Sequence, residues 1–257
     1  MDEITPLTNL LGSGANTANA TTAEAAYGAL GLAELAPRER PYVVANMIAT
    51  ADGRASIDGR SAPMSSDTDR ALFHMLRTQV DGVMAGAGTL RSESYGPMIT
   101  TVEQSAKREA LGLRAQPLAV TVTKTFDIPE QLPLLGDPNS TLVVFTTSTK
   151  EPPKSAATIV VERLDLTDSG MDVVMQRLRA HHGVRSLLCE GGPLLLGSLI
   201  GAGLLDELFL SISPLLVGGG EADQIMVGEI LGAPVGLVLV SVLEHHGSLF
   251  LRYRIDH

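Results

Sequence analysis

Residues 42–50 read YVVANMIAT and lead straight into Ala51-Asp52-Gly53. The run is apolar except for Asn46, which describes a buried strand closed by an Asp-Gly turn. A second turn dipeptide, Asp58-Gly59, closes the following loop. Ser66, with Asp69 three residues on, is a capping-box-like helix start, and Leu72, Met75, Leu76, Gln79 and Val80 follow at helical spacing. Val80–Ala85 is the next short strand. Strand, helix and strand in this order imply a crossover and parallel pairing.

The same alternation extends outward. Residues 101–113 read as a polar helix, and strands are expected at 118–123, 142–146 and 158–161. Met171, Val174, Met175 and Leu178 place an amphipathic helix over 170–182, with Gly183 at its stop. A strand at 184–189, a helix at 193–200 opened by Pro193, and a strand at 206–213 follow. Residues 237–245 and 248–255 flank His246-Gly247 as a hairpin. On the other side, residues 1–37 form an N-terminal arm rich in Ala, Thr, Asn and Gly. It is partly helical over 21–35, weakened by Gly28 and Gly31, and expected to pack loosely over the body. Residues 38–257 form the main domain. The fold class is α/β: a single three-layer domain whose mixed, mostly parallel sheet ends in an antiparallel C-terminal hairpin.

Composition narrows the function. The 257 residues carry 44% hydrophobic and 19% charged side chains, an ordinary globular balance. A net charge of −10 and the absence of Trp argue against nucleic acid and acidic membranes as partners. Cys189 stands alone, so neither an intrachain disulfide nor a cysteine metal cluster forms. His181-His182 and His245-His246 lack companion ligands, and no metal site is expected. Residues 1–36 contain no Lys or Arg and so lack the positive n-region of a secretory signal, and the apolar stretch 194–205 is too short for a bilayer. The expected location is the cytoplasm.

Ligands of α/β sheets bind beyond the carboxyl ends of parallel strands, and three such ends stand out. At the first, Asn46 brings a donor and an acceptor into an apolar run, and Ala49 lets a flat ring approach the backbone; a satisfied core amide and a plain turn fit equally. At the second, Gly86-Ala87-Gly88-Thr89 is a glycine turn into a helix, either a phosphate cradle or a tight turn. At the third, Cys189-Glu190-Gly191-Gly192-Pro193 sets a carboxylate beside a glycine loop and a helix start. The run Gly218-Gly219-Gly220 either flanks the same cleft or is a flexible loop.

Three blocks together resemble one family. They are Arg40-Pro41-Tyr42-Val43 with Asp52-Gly53; Ser65-Ser66, Arg70, Leu76-Arg77, Asp81 and Gly86-Ala87-Gly88-Thr89-Leu90; and Glu190-Gly191-Gly192-Pro193 with Gly203-Leu204-Leu205-Asp206-Glu207-Leu208 and Ser213-Pro214. In order and spacing they are similar to the reductase domain of the bifunctional riboflavin-biosynthesis deaminase-reductase, over about residues 38–256. The deaminase half, with its H-x-E and P-C-x-x-C ligands, is not in this sequence. The resemblance implies a dihydrofolate-reductase-like fold and NADPH-dependent reduction of a ribosylamino-pyrimidine phosphate to its ribityl form. It implies substrate contacts at Ser61, Arg77 and Glu190, with Arg77 clamping the phosphate. It implies cofactor contacts at Ile48, Pro63, Thr89 and Glu93 and along Gly192, Pro193, Leu194, Leu195, Leu196, Gly197 and Ser198; the neighbouring Ala49, Gly86, Gly88 and Gly191 join them. Asn46 is the residue of stand-alone, archaeal-type reductases, where bifunctional members carry Lys. Residues 91–96, Arg-Ser-Glu-Ser-Tyr-Gly, depart from the Asp-Asp-Pro of many members.

Hydride transfer also needs a proton, and Glu190 and Glu93 are the catalytic candidates. Asp69 reads first as a helix cap and second as an acid beside a ring N–H. Arg91, Lys124 and Lys150 are the cations within reach of a 2′-phosphate. Two other readings stand beside the first: reduction of dihydrofolate or another pterin on the same fold, and a non-catalytic nucleotide-binding module. The hairpin and the strand at 208–212 offer an edge for a homodimer.

Overall fold

The structure is a computed structural model and describes residues 7–10, 19–165, 170–219 and 223–256. Among the described residues eleven strands form one sheet. Its centre is β3 (Tyr42–Thr50), flanked by β8 (Ser186–Cys189) and β9 (Glu207–Ser213). Beyond β8 lie β4 (Gly82–Met84), β5 (Leu118–Thr123), β6 (Thr141–Thr146) and β7 (Thr158–Arg163), all parallel. Beyond β9 the direction changes: β11 (Ser248–Asp256) pairs antiparallel with β9 and with β10 (Gly236–His245). The hairpin expected from His246-Gly247 is therefore a junction inside the sheet; the chain leaves β3 for β4, runs outward to β7, and returns through β8 to β9 on the other side of β3.

Period-two alternation sorts the side chains into two apolar layers. Val44, Val83, Leu142, Val144, Leu188 and Phe209 face one layer, with Leu72 and Leu76 of α2 (Asp67–Arg77) and Leu90 of α3 (Ala87–Ser92). Val43, Met84, Val120, Val143, Leu187 and Cys189 face the other, against α5 (Gly170–His182) and α6 (Pro193–Gly201). The three-layer expectation holds, and most strand bounds fall within two residues of those read from the sequence. The polar helix is shorter than expected. It runs as α4 (Val102–Ala110), opened by a Thr101–Gln104 capping box and ended before Gly112, whose φ is 69°.

The arm corrects an expectation. It does not lie loosely on the body. Its strands β1 (Leu7–Asn9) and β2 (Asn19–Thr21) extend the sheet beyond β10, and Leu7 is fully buried. The expected helix breaks at its glycines into α1 (Ala23–Tyr27), a left-handed Gly31, and a 3₁₀ turn, Leu32–Leu35. Ala23, Tyr27 and Leu32 are core residues, and the Tyr27 ring meets Phe209 edge-on at 5.1 Å. The Gln79 side chain bridges to the arm, donating to the Tyr27 carbonyl and accepting from the Leu30 N–H at 2.9 Å.

Candidate active site

Asn46 and Ile48 continue the face of Val44; Ser211 continues that of Phe209; Glu190 continues that of Leu188. All four thus look toward α2 and α3 at the carboxyl ends of β3, β9 and β8. On α2, Asp69 and Phe73 lie on the inward stripe with Leu72 and Leu76. These elements enclose a cavity of about 470 Å³. Its wall includes Asn46, Ile48, Ser61, Asp69, Phe73, Thr89, Glu93, Tyr95, Glu190, Gly192 and Pro193, with Arg70 at the α2 side and Asp223 across from it.

On one side of the site two glycine turns meet at helix starts. The β4–α3 and β8–α6 turns interlock through the Gly86 N–H, which donates to the Gly191 carbonyl at 2.8 Å. A Cβ on Gly192 would stand 2.8 Å from Thr89 Oγ1, so only glycine permits this approach. The N-caps of both α3 and α6, Gly86 and Gly192, supply no side-chain hydrogen bond, which leaves first-turn N–H groups open to a phosphate. The peptide between Gly191 and Gly192 is cis.

The rest of the wall is rich in carboxylates. Asp69 is buried, its Oδ1 accepting from Ser211 Oγ at 2.5 Å and its Oδ2 from Ser65 Oγ at 2.6 Å. The helix cap is made instead by the Asp69 backbone, whose N–H donates to Ser66 Oγ at 3.1 Å. The capping turn expected here forms through the Asp69 backbone, while its carboxylate takes the second of the two readings and lies on the cavity wall. Glu93 Oε1 accepts from the N–H and Oγ of Ser61, at 3.0 and 2.9 Å, and ties the 56–62 loop to the end of α3. Glu190 receives the Arg77 fork, Nε to Oε1 at 2.7 Å and Nη2 to Oε2 at 2.8 Å, and the Tyr95 O–H on Oε2 at 2.5 Å. The Arg77 guanidinium also stacks 4.2 Å above the Phe73 ring. Burial alone would lower the Arg77 pKa, but the Glu190 carboxylate more than offsets this, and the net shift is upward.

Several expected site residues sit elsewhere. Arg77 does not line the cavity, and its fork is already occupied, so the phosphate-clamp role does not follow from its position. Leu195 and Leu196 point their side chains into the core, Leu194 is exposed, and Gly197 is where the Val227 carbonyl crosses α6 (a Cβ would lie 2.1 Å from it). The Ser198 hydroxyl donates back to Leu194 O. Pro63 and Gly88 are exposed, Ala49 and Gly191 buried, and none of them, nor Gly86, is on the cavity wall. Arg91 is engaged by Asp127, while Lys124 and Lys150 do not reach the cavity. Gly220 lies outside the described residues. The sequence reading missed Phe73, Tyr95 and Arg70. Cys189 faces the α5–α6 layer, and burial pushes its thiol up to about 12. Among the described residues no cluster of His, Cys, Asp or Glu is placed to hold a metal ion, and no helix is long and apolar enough to cross a membrane.

Residues 41–244 match the RibD C-terminal domain model. The chain belongs to the RibD C-terminal domain family. It is 30% identical to the 2,5-diamino-6-ribosylamino-4(3H)-pyrimidinone 5′-phosphate reductase of Archaeoglobus fulgidus, over 74% of this chain and 88% of that one. It is also 30% identical to the riboflavin biosynthesis protein RibD of Mycobacterium tuberculosis, over 75% of this chain but only 48% of that one. Among solved structures, a pyrimidine reductase-like protein from Corynebacterium diphtheriae superposes with a TM-score of 0.69 at 23% identity, covering 91% of this chain and 98% of that one; this is a likeness of fold.

Proposed function

We propose that this family member is a reductase that converts the ribosyl group of a 6-ribosylaminopyrimidinone 5′-phosphate to ribityl, with NADPH as hydride source. The observation that carries the reading is that one cavity is lined both by Thr89 and Gly192, where the two glycine turns meet in a cradle, and by Asn46, Asp69 and Glu190. The cradle fits a pyrophosphate: glycines at the closest approach, the Thr89 hydroxyl, and uncapped N–H groups at two helix starts. When bound, a reduced nicotinamide supplies the hydride. Ile48 and Pro193 would provide apolar contact for it and exclude water.

In the reduction C1′ gains the hydride, the C1′–O4′ bond breaks, and O4′ takes up a proton. Glu93 is the candidate for that proton, since Ser61 engages only its Oε1. Glu190 keeps the role of ring acceptor, because both its oxygens already receive donors. Asn46 and Asp69 complete a wall of acceptors suited to the N–H groups of an aminopyrimidinone. Arg70 is the one cation on the cavity wall among the described residues, and we assign it the 5′-phosphate. Its present ion pair with Asp67 is at the surface and is readily exchanged. Arg91, close to Gly88, is the choice for the 2′-phosphate.

The strand β10 supports a homodimer. Among the described residues the arm pairs with its C-terminal half, while Leu237, Val238, Leu239 and Val240 are 40–46% exposed. Turnover is tested by NADPH oxidation with the ribosylaminopyrimidine phosphate and dihydrofolate offered side by side. Oxidation with the first alone is expected; oxidation with dihydrofolate alone, or NADPH binding without turnover of either, overturns the reading.

A further inference from the structure

We propose that Tyr95 is a positioning residue of the active site, which sets the number and direction of the acceptors Glu190 offers to a pyrimidine. This rests on the reading of the cavity as a pyrimidine site. A carboxylate has about four acceptor positions. Arg77 takes one on each Glu190 oxygen and Tyr95 takes a second on Oε2. One position is left, on Oε1, for a ring N–H. Without the phenol, Oε2 regains an acceptor and the carboxylate is held by Arg77 alone.

The backbone around Tyr95 fixes the phenol. Its N–H donates to Leu90 O at 3.1 Å, and its carbonyl accepts from Leu134 N at 2.9 Å. The ring is buried, lies 5.6 Å from the Arg77 guanidinium carbon, and forms part of the cavity wall. A phenylalanine would fill the same space without a hydroxyl to satisfy, so packing alone gives no reason for tyrosine here. Burial first, and then the Glu190 charge, hold the phenol well above its ordinary pKa, which keeps it a donor.

The test uses the full chain with Tyr95→Phe, Glu190→Gln and the double variant. With saturating NADPH, Tyr95→Phe is expected to raise KM for the ribosylaminopyrimidine phosphate about tenfold or more, as for a lost hydrogen bond to a charge, while NADPH affinity stays within about twofold. In the Glu190→Gln background, where the phenol keeps only an uncharged acceptor, Tyr95→Phe should cost several-fold less than in the wild type. A wild-type KM, equal weakening of both ligands, or additive effects would overturn the proposal. A substrate-free arm separates it from the functional reading. In protein labelled with [ζ-¹³C]tyrosine, the resonance lost in Tyr95→Phe should shift in Glu190→Gln. An unmoved resonance overturns the assignment even if the enzyme turns over; a shift in an enzyme inert toward the pyrimidine overturns the substrate and leaves the Tyr95–Glu190 unit standing.

Discussion

The molecule contains the same constellation twice, at opposite ends of its parallel strands. At the carboxyl ends, Arg77 forks onto Glu190, Tyr95 donates to the same carboxylate, and Arg77 stacks on Phe73. At the amino ends, Arg252 forks onto Glu207 at 2.7 and 3.0 Å, Tyr42 donates to it at 3.0 Å, and Arg252 lies 5.4 Å from the Phe209 ring. Both carboxylate side chains are almost wholly buried, at 2% and 4% exposure. Chemistry alone therefore does not tell a site from a strut. The first unit borders a cavity with open helix N-termini; the second fills the junction of β3, β9 and β11, and none of its residues is on that cavity's wall. In an open α/β sheet the carboxyl ends carry function, and the amino ends carry stability by default.

The largest expected effect tests that division. Arg77→Met and Arg252→Met each leave a buried carboxylate without its cation, and each should cost about 3–5 kcal/mol in urea unfolding. Only Arg77→Met should also lower kcat/KM for the pyrimidine, by about two to three decades. Comparable activity losses in both would erase the distinction. Glycines give the next contrast. Gly192→Val should weaken NADPH about 100-fold in a fluorescence titration, because the first added carbon already meets Thr89. Gly82→Ala, at the amino end of β4, meets the Leu187 methyl at 3.1 Å and should cost about 1–3 kcal/mol of stability with ligand affinity unchanged. Tyr42→Phe is smaller still: about 1 kcal/mol, read in the same unfolding assay, with no change in either KM.

The smallest effect concerns pH. Asp52, just past β3, accepts from Thr50 Oγ1 at 2.5 Å and from the N–H groups of Gly218 and Val217, at 2.7 and 3.1 Å. The Thr50 bond first, and then the Gly218 N–H, depress its pKa from 3.8 to about 2. A depressed folded-state pKa gives stability that is present above the unfolded value and lost as pH falls toward the folded one. The melting temperature of Asp52→Asn should thus lie slightly below wild type at neutral pH, and the gap should close between about pH 4 and pH 2. A gap that persists at the acid end would assign the clip to shape rather than charge.

Strands and helices were legible because burial on two faces and helical spacing leave local marks, as in 42–50 and 170–182. The glycine loops were legible for the same reason, since turn chemistry is local. What was not legible depends on partners far away in sequence. The Asp69 carboxylate goes to Ser211, 142 residues on, and Arg77 finds Glu190 at a separation of 113. An arginine at the end of an amphipathic helix looks like a free cation until its partner strand is in place. Tyr95 carried one local signal, an aromatic in a Ser-Tyr-Gly-Pro turn immediately after Glu93, where solvent exposure would be the default. Leu195 and Leu196 failed the other way. A binding loop was extended into a helix whose side chains belong to the core, and only its first turn faces the cradle.

Cys189 gives the sheet a clock. It is the sole thiol, is fully buried at the end of β8, and directly precedes the carboxylate on the cavity wall. Because only the thiolate reacts, an alkylating reagent must wait for β8 and the α5–α6 layer that covers the thiol to part. Its labelling rate therefore counts openings at the strand that carries Glu190, and a ligand that spans the cradle and Glu190 should slow that count in proportion to its occupancy.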